Sequence, residues 1–166
     1  MDWQQAAEYW EQKDRTGVRM ERDALRQRIG DYLRAHRTCA LATACGDLVR
    51  CTPIEYSWYD DRLWMLSEGG RKFAALRGNP RVCLAVFDPS PEFGALGGMQ
   101  ITGTAGLVEP WSEEYCALLR FRRIPEQALR GLDHPMYLLR VTPERIEFLN
   151  SAFRAEGYSV RQCLDF

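Results

Sequence analysis

The chain has 166 residues, 46% of them hydrophobic, enough apolar surface for one compact core without metal or disulfide staples. Lysine and arginine number 22 against 23 acidic residues, so the basic face that a nucleic-acid partner requires has no support in composition. No run approaches the roughly 20 continuous apolar residues of a membrane span. The opening MDWQQAAEYWEQKDR lacks the basic segment and apolar run of an export signal, so a cytoplasmic protein of one domain (1–166) is expected.

In chain order, Trp3, Ala6, Ala7 and Trp10 recur at spacings of three and four and predict an amphipathic helix over Asp2–Lys13. A second helix is expected over Glu21–His36, with Leu25, Ile29, Tyr32 and Leu33 inward and its arginines on a solvated outer face. These N-terminal helices occupy 1–36. From Thr38 the period turns strand-like. TCALATA, the turn Cys45-Gly46-Asp47 and the long arm DLVRCTPIEYSWY read as a hairpin, with Pro53 predicting a bulge or unpaired point in the second arm. Asp60-Asp61 turns into RLWMLS, Gly69-Gly70 opens a short helix through Lys72, Phe73 and Leu76, and Gly78-Asn79-Pro80 ends it. RVCLAVFD, a loop from Pro89 to Gly98, and MQITGTAGLV complete five strands by Val108, the core barrel of 38–109. The remainder, 111–166, reads as a helix over Trp111–Arg122, a further helical turn from Pro125, and YLLRVTPERIEFLN as two short strands bent at Thr142-Pro143. Sequential strands with hairpin-length turns predict a mainly β, antiparallel barrel with flanking helices.

Six cysteines without C-x-x-C spacing read as small core thiols, and the two histidines, His36 and His134, as structural. No metal site is expected. The chemistry concentrates in Ser67-Glu68-Gly69-Gly70-Arg71-Lys72, where a strand ends in a hydroxyl, two glycines free the backbone, and two cations stand where a helix begins. Helix-terminal amides, a forked guanidinium and a compact ammonium are what a phosphate group needs. On the upstream strand, alternation puts Arg50 and Thr52 on one face, while Pro53 and Ile54 offer irregular backbone to a flat heteroaromatic ring. Gln100 opens the strand after the loop with an amide able to donate and accept.

DLVRCTPIEYSWYDDRLWMLSEGGRKFAALRGNPRVCLAVFD followed by GMQITGTAGLVE resembles the pyridoxamine 5′-phosphate oxidase-like FMN-binding split-barrel superfamily, over roughly Thr38 to Glu109. The likeness rests on the arginine-bearing strand, the Arg-Lys turn into a helix, Leu-x-x-Asn-Pro-x-Val, and Gln-x-x-Gly-x-Ala. It implies an antiparallel split β-barrel binding FMN. Arg50, Arg71 and Lys72 would then hold the phosphate with Ser67, Leu66 and the Thr52–Ile54 backbone would border the isoalloxazine, and Gln100 would bond its polar edge. It also implies a homodimer with flavin at the subunit interface. Glu55 stands where the oxidase has lysine, the turn between Ser67 and Arg71 is one residue shorter, and the tail FRAEGYSVRQCLDF lacks the oxidase's Arg-x-His motif, so vitamin B6 oxidation is not expected as the main activity. The flanking regions are similar to nitroimidazole-resistance-like flavoproteins.

An FMN-dependent oxidoreductase acting on a small molecule is the expected function, with the Pro89–Gly98 loop and the tail as the substrate mouth. Glu55 and Tyr56 lie near the expected ring without an assigned catalytic role. Two alternatives remain open: a flavin- or haem-binding module without turnover, with His134 as the haem candidate, and a deazaflavin-dependent reductase.

Overall fold

The computed structural model describes residues 2–89 and 92–166. Helix α1 (Trp3–Thr16) starts from a capping box, in which the Asp2 carboxylate accepts from the Gln5 amide at 2.8 Å and the Gln5 side chain accepts from the Asp2 amide at 3.3 Å. Its expected inward stripe is not inward: Trp3 is 79% and Trp10 46% exposed. The side chain of Ala7 lies outside the described ones. The reason is how the helix is tethered, at its C-terminal end. There Asp14 pairs with Arg161 at 3.0 Å, Val18 N donates to Ser159 Oγ, and the Trp10 ring is covered by the cations of Lys13 and Arg161. Helix α2 (Arg22–Ala35) buries Leu25, Ile29 and Leu33 as its period predicts, and two of its outer arginines clamp it down, Arg26 to Asp61 and Arg28 to Glu156.

Eight antiparallel strands form one sheet in the order β2-β1-β5-β6-β7-β4-β3, with β8 also on β7. They are β1 (Thr38–Cys45), β2 (Leu48–Glu55), β3 (Ser57–Tyr59), β4 (Arg62–Ser67), β5 (Arg81–Phe87), β6 (Gly97–Val108), β7 (Tyr137–Asn150) and β8 (Arg161–Asp165). This is the mainly β split barrel with flanking helices. Helix α3 (Arg71–Gly78) packs on β1 and β2; α4 (Glu113–Arg122) and α5 (Glu126–Arg130) fill the β6–β7 connection. Strand alternation sends Leu41, Leu84, Val86, Ile101, Val141 and Ile146 into the barrel, where each is fully buried. The β3–β4 hairpin turns through Asp60 and Asp61, both at φ +52°, the backbone of a type I′ turn whose twist matches that of the strands. Among the described residues, no helix is long and apolar enough to cross a membrane.

Three expectations are corrected. The arm from Asp47 to Tyr59 is two strands, so six strands precede Glu109. The break falls at Tyr56, and Pro53 pairs in regular register with Ala40. Proline is tolerated because β2 is an edge strand with β1 as its one neighbour. Conversely, Tyr137–Asn150 is one continuous strand: Gly103 faces Pro143 and Thr102 faces Arg145, leaving Glu144 as the extra residue of a bulge. The cysteines are free thiols, but only Cys39 is buried, and Cys51 and Cys83 are exposed on the outer face of the sheet.

The bulge explains the glycine facing it. A Cβ on Gly103 would stand 2.3 Å from the Thr142 carbonyl oxygen and 3.1 Å from Pro143 Cα, both backbone atoms that cannot swing aside. Gly103→Ala is expected to destabilise the fold by about 1–3 kcal/mol, read as a lowered urea midpoint with an unchanged m-value.

Candidate functional site

The barrel is split because the chain changes partners at Tyr56. Ser57 to Tyr59 pair with β4 through Trp64, Leu63 and Arg62, whereas the residues before Tyr56 pair with β1. Tyr56 fixes the divergence. Its amide donates to the Arg37 carbonyl at 2.8 Å and its buried hydroxyl to the Leu33 carbonyl at 3.0 Å, and burial pushes the phenol pKa up. Past Trp64, β4 continues with β7 alone, so Thr52–Ile54 and Leu66–Ser67 are strand edges with no ladder between them. A cavity of about 590 Å³ opens there, lined by Thr52, Pro53, Ile54, Leu66, Ser67, Glu68, Gly69, Gly70, Lys72 and Met136.

Its floor is the strand-to-helix turn. Gly69 and Gly70 have φ of +124° and +98°, conformations that side-chain-bearing residues rarely adopt. Ser67 Oγ accepts from the Gly69 amide at 3.2 Å, and no side chain caps the start of α3. Lys72 Nζ donates to the Gly69 carbonyl. Lys72 is buried, at 9% exposure, and desolvation lowers its pKa from 10.5. Among the described residues, no carboxylate lies within ion-pair distance of Lys72, Arg71 or Arg50. A buried cation beside an uncapped helix start is a site short of an anion, and a phosphate group fits that shortage.

Of the residues expected at the site, Thr52, Pro53, Ile54, Leu66, Ser67 and Lys72 meet in this cavity. Arg50 and Arg71 do not line it. Both are exposed, Arg50 on the same face of β2 as Thr52 and Arg71 on the first turn of α3. Gln100 is elsewhere: it is exposed on the outer face of the sheet, opposite Ala85, and borders a second cavity of about 370 Å³ with Phe87, Gly98, Glu147 and Arg161. Part of the expected substrate mouth, Leu96 to Gly98, lines that second cavity, whereas Ser90 and Pro91 lie outside the described residues. Glu55 is held in an ion pair with Arg122 at 2.7 Å. His134 stands 3.4 Å from Glu68 at the rim of the split, and His36 bonds the Tyr32 carbonyl and Asp88. Met136 was not foreseen. It reaches the cavity because Tyr137 pairs with Ser67, a pairing across seventy residues that no local pattern announces.

The model of the pyridoxamine 5′-phosphate oxidase family matches residues 25–150. The chain belongs to this family. No curated protein matches its sequence. Among solved structures, it is similar to an FAD-binding protein of Mesorhizobium loti (21% identity, 72% of this chain and 88% of that one, TM-score 0.59). It is also similar to HutZ, the heme storage protein of Vibrio cholerae (21% identity, 71% and 89%, TM-score 0.59). ChuZ of Campylobacter jejuni overlays at 11% identity (88% and 61%, TM-score 0.66). At such identities these overlays establish the shared pyridoxamine 5′-phosphate oxidase-like fold.

Lys72 ties this cavity to stability. Its folded-state pKa lies below the unfolded value, so over the pH range just under 10.5 the unfolded chain binds more protons and the ligand-free protein gains stability as pH rises. Lys72→Met is expected to stabilise the ligand-free protein at pH 7 by on the order of 1 kcal/mol and to flatten that alkaline rise, measured as melting temperature against pH.

Proposed function

We propose that the protein holds FMN in the split between β2 and β4 and acts as an FMN-dependent oxidoreductase on a small molecule. One observation carries this reading: the buried Lys72, without a carboxylate partner among the described residues, lies at the floor of a cavity walled by two strand edges with no ladder between them. A phosphate would take the Lys72 ammonium, the Ser67 hydroxyl and the first amides of α3. We assign Arg71 and Arg50 to its outer oxygens. The free backbone groups along Thr52–Ile54 would serve the polar edge of a flat ring, and the Leu66 side chain would serve its face. Bound FMN supplies hydride or electron transfer, and the chain's share is to orient it and exclude water.

The homodimer is part of the same proposal. Opposite the buried Leu41, Leu84 and Ile101, the outer sheet face carries Ala40, Ala42, Cys51, Cys83, Ala85 and an exposed Phe87, a small-residue apolar surface suited to a second copy of the chain. Gln100 lies on this face, so it would act on a ring only across the interface. Phe87→Glu is expected to convert the dimer to monomer, read by sedimentation velocity, and to lower flavin content with it. We assign the protein to the cytoplasm, where its cysteines would stay reduced.

The cofactor assignment is tested by absorbance and mass spectrometry of the ligand released from purified protein, with FMN expected. Arg71→Ala with Lys72→Ala is expected to weaken FMN by several kcal/mol, at roughly 1.5–3 kcal/mol per charge-assisted bond. Unchanged retention in that double variant would remove the phosphate site. A haem reading draws on one feature, His134 beside Glu68 at the rim, and on the haem storage named for HutZ. A Soret band on haem titration that is lost in His134→Ala would favour it. Release of a deazaflavin would identify the third alternative.

A further inference from the structure

We propose that a separate cavity, between the C-terminal end of α2, the Tyr56 bend and the end of α4, binds a small planar molecule bearing one carboxylate, with Arg37 as the residue that recognises the acid. The cavity has a volume of about 320 Å³, and Arg34, Arg37 and Arg122 border it with Glu55 as the one carboxylate on its wall. That volume suits a one-ring ligand.

The charged and imidazole side chains around it are already committed, with one exception. Glu55 and Arg122 hold each other at 2.7 Å, and Arg34 is taken by Asp31 at 2.7 Å. Both ring nitrogens of His36 are engaged, Nδ1 with the Tyr32 carbonyl at 2.8 Å and Nε2 with Asp88 at 3.0 Å. Arg37 alone among these is left open: its guanidinium has no hydrogen-bond or ion-pair partner among the described residues, while its own carbonyl accepts from Tyr56 and so fixes its backbone to the bend. A planar fork on an anchored backbone matches a carboxylate in two parallel bonds.

The remaining wall is aromatic and rigid. Trp58 is buried, and Phe121, half exposed, is stacked on Tyr59 with ring centroids 4.5 Å apart. A flat apolar body fits against these rings while its acid group reaches Arg37. Glu55, on the wall of this cavity, follows Ile54, on the wall of the split, and the two cavities share no lining residue. Recognition here rests on Arg37 and the aromatic wall, whatever the split holds.

Benzoate is the probe, titrated calorimetrically into the purified protein as isolated, with benzamide as its uncharged counterpart. Saturable benzoate binding is expected, weakened about tenfold or more both by Arg37→Gln and by exchange for benzamide, and little changed by Arg34→Gln, whose guanidinium already has a partner. In the unmutated protein, benzoate should shift the amide resonances of Ser57 and Phe121. Absence of saturation overturns the proposal. So do equal affinity in Arg37→Gln, equal affinity for benzamide, or resonance shifts that gather around Gln100 instead.

Discussion

The arm that follows β1 cannot pair with β1 and β4 at once, and the architecture of this protein follows from where it leaves the one for the other. Tyr56 makes that choice. Its hydroxyl bonds the last turn of α2 at Leu33 and its amide bonds Arg37 just beyond the helix, so the chain is pinned at the point of divergence. On one side of the pin, β3 and β4 share a ladder; on the other, the edges part and leave a space walled by backbone. A cleft made by strand divergence is held open by covalent continuity and by the barrel core behind it, with Met65 and Leu41 both fully buried. Such a cleft is preorganised, which spares a ligand the cost of ordering it.

Charge is distributed around this cleft unevenly. Half of the 22 lysines and arginines are matched with acids among the described residues, including Arg26 with Asp61, Arg28 with Glu156, Arg140 with Glu114 and Arg145 with Asp165. Partially exposed pairs like these add little stability singly. Arg50, Arg71, Lys72 and Arg37 belong to the other half; Lys72 lines the split and Arg37 the cavity beside the Tyr56 bend. A chain of net charge −1 can therefore place uncompensated cations at a cavity wall by arrangement and not by composition.

The sequence made the barrel's alternation and the glycine-led turn readable because both are local. Leu41, Leu84 and Ile101 are buried at the parity their strands predict, and Gly69-Gly70 marked the approach to α3 correctly. What it hid was tertiary. Proline at position 53 drew attention as a strand breaker, yet an edge strand absorbs it, and the real break at Tyr56 has no breaker residue, being set by contacts with α2. The Thr142-Pro143 pair looked like an end of a strand, whereas a bulge opposite Gly103 lets the strand run on. The stripe on α1 had the right period, but periodicity cannot say whether a surface lies beneath it. Strand β8 and Met136 depend on pairings made far along the chain.

The free edge of β2 has a consequence for the protein when it is empty. Along this edge every second residue turns its backbone groups outward, a template on which an extended segment of another chain could add itself, the first step of fibrillar growth. Pro53 sits in the middle of that template and offers no amide hydrogen. A stray strand thus meets an interrupted ladder, which works against edge-to-edge addition of a second chain.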